Sequence, residues 1–139
     1  MTLFRLVRTC WMIALLALCG PLSAQALTLD EALQKTAPAD LFQGADAFGP
    51  PEGDPAIVPV LKGGEKLGFA YLNTDFTGAT GYSGKPIHIL VGIDPQGVVQ
   101  GIRLVEHHEP IVLIGIPEEK VLAALNELIG ADLGRVAAG

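Results

Sequence analysis

The sequence predicts an α+β fold, an antiparallel β-sheet with flanking helices. Three observations predict it. Four apolar segments of strand length follow one another between residues 57 and 105, broken by Gly- and Pro-containing connections. A helix-capping sequence precedes them, Thr28-Leu29-Asp30-Glu31. An apolar helical period follows them, at Val121, Leu122, Leu125, Leu128 and Ile129.

Each element has a local cause. Thr28 supplies an N-cap hydroxyl and Glu31 a carboxylate three residues on, so a short helix should run to about Lys35 and end before Ala37-Pro38. Leu41 and Phe42 are expected to start a second short helix, stopping near Gly44. Residues 48–56 are a Pro/Gly loop. Ile57 to Leu61 reads as a strand, and Pro59 makes it an edge. Lys62-Gly63-Gly64-Glu65 is a hairpin turn. Leu67 to Asn73 is the second strand, and residues 74–86 form a loop without regular pattern. Ile87 to Ile93 is the third strand, its apolar run implying burial on both faces. Asp94-Pro95-Gln96-Gly97 suits a type I turn, leading into an antiparallel fourth strand from Val98 to Val105. His107 to Pro110 break the pattern, Ile111 to Ile114 is a short apolar stretch, and Pro117-Glu118-Glu119 opens a last helix with Gly130 as its C-cap.

The N-terminus has the parts of a secretory signal. Arg5 and Arg8 form a basic region, Trp11 to Leu18 an apolar one, and Gly20-Pro21 is followed by small residues up to Ala24-Gln25-Ala26. Residues 1–26 are therefore expected to be a signal peptide and 27–139 a single exported domain. A retained membrane anchor is the alternative, disfavoured by the short apolar stretch. Both cysteines, Cys10 and Cys19, lie in this segment, so the mature domain would be thiol-free. That excludes a disulfide, a thiolate nucleophile and an iron–sulfur cluster. Leu18, bulky beside Cys19, argues against a lipoprotein cysteine.

The formal charge is −6, and losing Arg5 and Arg8 makes it two units more negative. Such a chain has no basic patch for nucleic acid or anionic lipid. With 50% hydrophobic and 17% charged residues it is not a disordered acidic tail.

Two segments could carry chemistry. Residues 75–86 combine three glycines, several hydroxyls and Lys85 ahead of a buried strand. Glycines allow backbone N–H groups to approach an anion, hydroxyls donate and the lysine adds charge, so this is an anion-cradle composition without Walker spacing. An ordinary Gly/Ser surface loop has the same composition. Residues 106–110, Glu-His-His-Glu-Pro, bring imidazoles and carboxylates together at a strand end. Neighbouring residues there point to opposite faces, so His107 and His108 are not expected to share a metal ion. His88 is expected to be structural.

The run Gly81-Tyr-Ser-Gly-Lys-Pro-Ile-His-Ile-Leu-Val-Gly-Ile-Asp94, followed by Gly101-Ile-Arg-Leu-Val-Glu-His-His-Glu-Pro-Ile-Val-Leu-Ile-Gly-Ile-Pro117, resembles the N-terminal periplasmic FMN-binding domain of the NosR/NirI family. These are regulatory flavoproteins of the nitrous oxide reductase system. The resemblance covers most of residues 66–135. It implies an FMN-binding-domain-like fold shared with subunits of sodium-pumping and Rnf-type electron-transport complexes, and an incomplete C-terminus relative to the family. It implies FMN as cofactor, with His107 and Glu109 in the family's His-x-Glu segment. Membrane redox or nitrous oxide reductase maturation components are the implied partners, with a flavin transferase if loading is covalent.

In that family FMN is attached through its phosphate to the last threonine of Asp-x-x-(Ser/Thr)-Gly-Ala-Thr. Thr77-Gly78-Ala79-Thr80 spells the last four positions. Asp75 stands one residue too close, however, and the segment lies upstream of the His-x-Glu run instead of downstream. Thr80 is then a chance match or a substitute acceptor, and covalent attachment stays open. The expected cofactor-binding residues are Thr77, Gly78, Ala79, Thr80, Ser83, Gly84, Lys85, His107 and Glu109. The expected role is an electron-transfer or regulatory module at the periplasmic face of the inner membrane. Competing classes are a flavin-free interaction domain of a membrane redox complex and a metal-binding protein using His107, His108 and Glu109.

Signal cleavage has a direct readout. Protein recovered from the periplasmic fraction should begin at Leu27 by intact mass, and a chain retaining residues 1–26 there would contradict the signal reading.

Overall fold

The computed structural model describes residues 26–78, 80–110 and 115–138. Nearly all of the expected signal, Ala79 and the apolar stretch Ile111 to Ile114 lie outside the described residues. The expected class is observed: five strands in the order β1-β2-β3-β4-β5, every neighbouring pair antiparallel, with short helices around them. The strands are β1 (Ala47–Phe48), β2 (Val58–Lys62), β3 (Glu65–Leu72), β4 (His88–Ile93) and β5 (Val99–Glu106). Among the described residues, no helix is long and apolar enough to cross a membrane.

The first helix, α1 (Leu29–Gln34), starts on the expected reciprocal cap. The Thr28 N–H donates to Glu31 Oε2 at 2.9 Å and the Glu31 N–H to Thr28 Oγ1 at 3.3 Å. The second expected helix is displaced. One 3-10 turn forms at Pro38–Asp40, and Leu41 and Phe42 follow it as buried core residues. Their apolar character reflects packing and not helical period.

Strand β2 is not the edge that Pro59 suggested, because the two residues of β1 pair with Leu61 and Val60. Pro59 is tolerated because its missing N–H faces Gly49, just past the end of β1, so that only one ladder bond is forgone. Its carbonyl, on that same side, accepts from the Gly49 N–H at 2.8 Å. The hairpin to β3 turns at Gly63 and Gly64, both with positive φ, as a two-residue primed turn requires. At the β4–β5 turn the Gly97 N–H closes on the Asp94 carbonyl at 2.9 Å, as expected for type I.

Two cores sit on the two sheet faces. Val58, Val60, Ala70, Leu72 and Leu90 are fully buried on one face, under Leu29, Ala32, Leu41 and Phe42. Fully burying one such aliphatic side chain contributes about 1.5–3 kcal/mol. The other face carries Val91, Val99 and Ile102, with Tyr71, Ile89 and Ile93 half-buried and Leu125 packed over them.

Close packing on the first face depends on glycine. Gly92 and Gly101 are direct cross-strand partners, and Gly68 lies on the neighbouring strand β3. A Cβ on Gly101 would overlap the Leu41 backbone, and one on Gly92 would come within 2.9 Å of the Phe42 ring. This bare strip lets the Leu41-Phe42 segment lie flat on the sheet.

The C-terminal region departs from expectation. Helix α3 (Glu118–Asn126) ends before Gly130, and a further helix, α4 (Leu133–Ala138), follows. Gly130 caps no helix. Its N–H donates to the Val99 carbonyl at 2.8 Å, while the Val99 N–H donates to the Ala131 carbonyl, so this stretch shields the start of β5. Of the expected apolar face, Val121 and Leu125 are half-buried, whereas Leu122, Leu128 and Ile129 stay exposed.

Gly101→Ala should cost about 1–3 kcal/mol of stability, the usual range for overpacking. Gly78→Ala, with nothing within 4 Å of the new Cβ, should stay within about 0.5 kcal/mol. Denaturant midpoints of the two variants check the contrast.

Candidate functional site

The site region is built at one end of the sheet, where β3 stops and β4 and β5 begin and end. Strand β3 gives way at Asn73 to the single helical turn α2 (Asn73–Phe76), which corrects the expectation of an irregular loop from residue 74. The backbone turns away there, and the Asn73 side chain takes over the pairing. Its Nδ2 donates to the Ile87 carbonyl at 2.9 Å and its Oδ1 accepts from the Ile89 N–H at 2.7 Å. Between those two residues lies His88, 5% exposed, with Nδ1 3.0 Å from Thr74 Oγ1. Asn73 and Thr74 were not singled out in the sequence. Their partners lie 14 to 16 residues away, and no local pattern reports such a contact.

The glycine-rich loop and the His-x-Glu segment do come together, but not as an open cradle. Ser83 Oγ donates to Glu109 Oε1 at 2.7 Å, and the Ser83 N–H reaches both carboxylate oxygens at 3.3 Å. The loop is folded for this: the Gly84 N–H donates to the Gly81 carbonyl and Gly84 adopts φ 74°. A Cβ on Gly81 would overlap the Glu109 carboxylate. The anion held by these donors is therefore the chain's own side chain. Hydrogen bonds from Ser83, foremost its hydroxyl, hold the Glu109 carboxyl below the usual carboxylate range against a smaller opposing effect of desolvation.

Glu109 also orients its neighbour. Its N–H donates to His107 Nδ1 at 3.3 Å, so the neutral ring carries its proton on Nε2. His107 and Glu109 line an apolar hollow of about 240 Å³ with Ile87, Ile89, Leu104 and Leu125. His108 goes elsewhere. It lines a hollow of about 340 Å³ with Leu27, Lys85, Pro86, His88 and Glu106, and its Nε2 lies 3.7 Å from Glu106. The two neighbouring imidazoles thus serve different hollows, as the strand-end argument expected. Among the described residues no cluster of three ligand-type side chains could hold a metal ion.

A third hollow is likewise mostly apolar. It measures about 390 Å³ and is lined by Ile57, Tyr71, Asn73, Phe76, Thr77, Ile93 and Leu133. Tyr71 and Phe76 meet edge to face at 5.2 Å, and burial pushes the Tyr71 phenol up. A small fourth hollow of about 180 Å³ lies beside it, lined by Leu27, Thr74, Asp75, Thr77, Gly78, Pro86 and His88.

The expected site residues therefore separate. Ser83, Gly84, His107 and Glu109 cluster around the carboxylate latch. Thr77 and Gly78 line hollows beside α2, and Lys85 lines the hollow of His88 and His108. Thr80 is exposed and bridged to Pro86 through the backbone. Ala79 lies outside the described residues. The apolar walls suit a flat aromatic ring. The Ser83 donors do not suit a phosphate, since a carboxylate already occupies them.

The Ser83–Glu109 latch has a definite pH dependence. A carboxyl with a lowered folded value stabilises fully above its ordinary value of 4.5 and loses that stabilisation as the pH falls through the lowered value. The Ser83 amide resonance should therefore shift with an apparent midpoint below 4.5, and Glu109→Gln should abolish the transition. A Ser83 amide insensitive to acid would contradict the latch.

Comparison with known proteins places the chain. It is 43% identical to the regulatory protein NosR of Pseudomonas aeruginosa over 113 residues, 81% of this chain and 15% of that protein. It is 40% identical to protein NirI of Paracoccus denitrificans over 76 residues, 55% of this chain and 11% of the relative. It is 48% identical over 48 residues to one component of an ion-translocating oxidoreductase complex of Haemophilus influenzae, 34% of this chain and 21% of that component. The chain thus spans a small part of the curated relatives it matches. No family model and no solved structure matches it. Over most of its own length the chain is a homologue of the NosR and NirI proteins, and its resemblance to that family is one of common descent.

Proposed function

We propose that the chain is an exported FMN-binding module of the NosR type, serving electron transfer or regulation in support of nitrous oxide reductase expression or activity. The observation that carries this reading is the 390 Å³ apolar hollow walled by Tyr71, Phe76 and Ile93, with Thr77 of the glycine-rich loop at its rim. Its size falls within the range of small-molecule sites, and apolar walls with one polar rim are their usual construction. Kinship with NosR, NirI and a component of an ion-translocating oxidoreductase complex supports the same reading.

The bound flavin would supply one- or two-electron chemistry. The protein's contribution is position and environment. Tyr71, Ile93 and Leu133 of α4 supply its apolar wall. Asn73 adds polar capacity at the wall, although its amide is already committed to Ile87 and Ile89. His107, with Nε2–H directed by the Glu109 contact, provides a donor at the separate 240 Å³ hollow. Membrane redox components are the proposed partners, in keeping with the relatives.

A flavin-free interaction domain is the second reading, favoured by the exposed Leu128, Ile129 and Val136 at the C-terminal end. Colour separates the two. Protein exported by a host that has a flavin transferase should be yellow. Retention of colour after denaturation marks a covalent bond and loss marks reversible binding. A colourless product would overturn the FMN reading. If the bond is covalent, unchanged loading of Thr80→Ala by mass would exclude Thr80 as its acceptor.

A further inference from the structure

We infer that removal of the signal completes a site within the fold: the new amino terminus at Leu27 docks as an α-ammonium between the carboxylates of Asp75 and Glu106. The inference rests on the reading of residues 1–26 as a cleaved signal and assigns the cut a role in the folded domain.

Three observations carry it. The first is place. Ala26 and Leu27, on either side of the expected cut, both line the 340 Å³ hollow of Lys85, Glu106 and His108. Both also line the 180 Å³ hollow of Thr74 and Asp75. The bond to be cut thus lies where two hollows meet, and these share Pro86 and His88 as well. Cleavage takes away one shared wall residue, Ala26, and leaves a primary amine at the junction. Leu27 is held there, because its side chain packs against the first core. The next residue is fixed too, since the Thr28 N–H and hydroxyl both donate to Glu31 Oε2, at 2.9 and 3.0 Å.

The second is charge. Among the residues lining the two hollows, Asp75 and Glu106 are carboxylates and Lys85 is a cation, with the histidines neutral at pH 7. One negative charge there has no counterpart. An α-amino group, with an ordinary value of about 7.7–8.0, supplies one positive charge at neutral pH. In the uncut chain the same nitrogen is an amide and carries none.

The third is His88, 5% exposed and lining both hollows. Its Nδ1 lies 3.0 Å from Thr74 Oγ1, and Nε2 has no partner among the described residues. No buried side-chain polar atom among them is sealed without a partner, so Nε2 opens onto the hollows. With the Thr74 hydroxyl accepting from Nδ1–H, Nε2 is an acceptor that lacks a donor. An ammonium has three N–H bonds, enough for the two carboxylates and this ring nitrogen.

The test compares the exported chain with the same domain retaining Gln25-Ala26, released from a tag by a protease. Intact mass of the exported chain comes first, and a start other than Leu27 overturns the signal reading and the inference with it. With Leu27 first, Asp75→Asn and Glu106→Gln should each lower the thermal midpoint by about 2–4 °C. Both losses should largely vanish in the form retaining Gln25-Ala26, where the amine is displaced and Ala26 still fills the junction. Equal losses in the two forms would overturn the inference and leave the signal reading standing. If the extended form does not fold, labelling decides. An amine-reactive ester should acylate the Leu27 amine roughly threefold or more slowly in the wild type than in the Asp75→Asn/Glu106→Gln double variant, because a held ammonium presents less free base. Equal rates would overturn the inference.

Discussion

The side-chain amide of Asn73 does at the end of β3 what the backbone does within the strand. It donates to the Ile87 carbonyl and accepts from the Ile89 N–H, so β4 stays anchored after β3 has turned away into α2. Two consequences follow from that one substitution of side chain for main chain. His88 is clamped between the two bonded residues and turned into the interior, where Thr74 meets it. Helix α2 is set beside the sheet, so that Phe76 reaches Tyr71 and walls an apolar hollow. A carboxamide suits this place because it carries donor and acceptor on one planar group.

A bulge completes the arrangement on β5. Ile89 pairs with Leu104 but His88 pairs with Glu106, so Val105 is the extra residue. Val105 packs against the first core and Glu106 faces His88's hollow, both on the same side of the sheet. The alternation is thereby reset. His107 falls to the face of Ile89 and Leu104, and His108 to the face of His88. Without the extra residue the two imidazoles would exchange faces, and the latch carboxylate of Glu109 would move with them.

The glycine-rich loop illustrates how an anion-binding composition can be satisfied from within. Its donors have the composition of a phosphate cradle, and they do hold an anion, but that anion is Glu109. The contact joins residues 26 apart in sequence and pins the loop to the end of β5. It also explains why glycine suits position 81, where a Cβ would displace the carboxylate. The loop's chemistry is thus spent on holding Lys85 and His107 in place.

Strands β2 to β5, the capping box at Thr28 and the two tight turns were legible in the sequence because each follows from spacing within a few residues, whereas β1, whose Phe48 fell in the expected Pro/Gly loop, was not. The family resemblance was legible as well, because a long ordered run of residues is specific, and the homology bears it out. The short helix expected at Leu41-Phe42 and the single C-terminal helix expected to reach Gly130 were not, since apolar residues do not say whether they face their own helix or a distant sheet. The role of Gly92 and Gly101 emerges only with the packing of Leu41 on them. By itself the sequence determined the four strands from β2 to β5 and which residue types could meet an anion. Only the tertiary structure decided which hollow each one faces, because a bulge, a side-chain amide and an internal carboxylate act across 14 to 26 residues of chain, where local pattern carries no information.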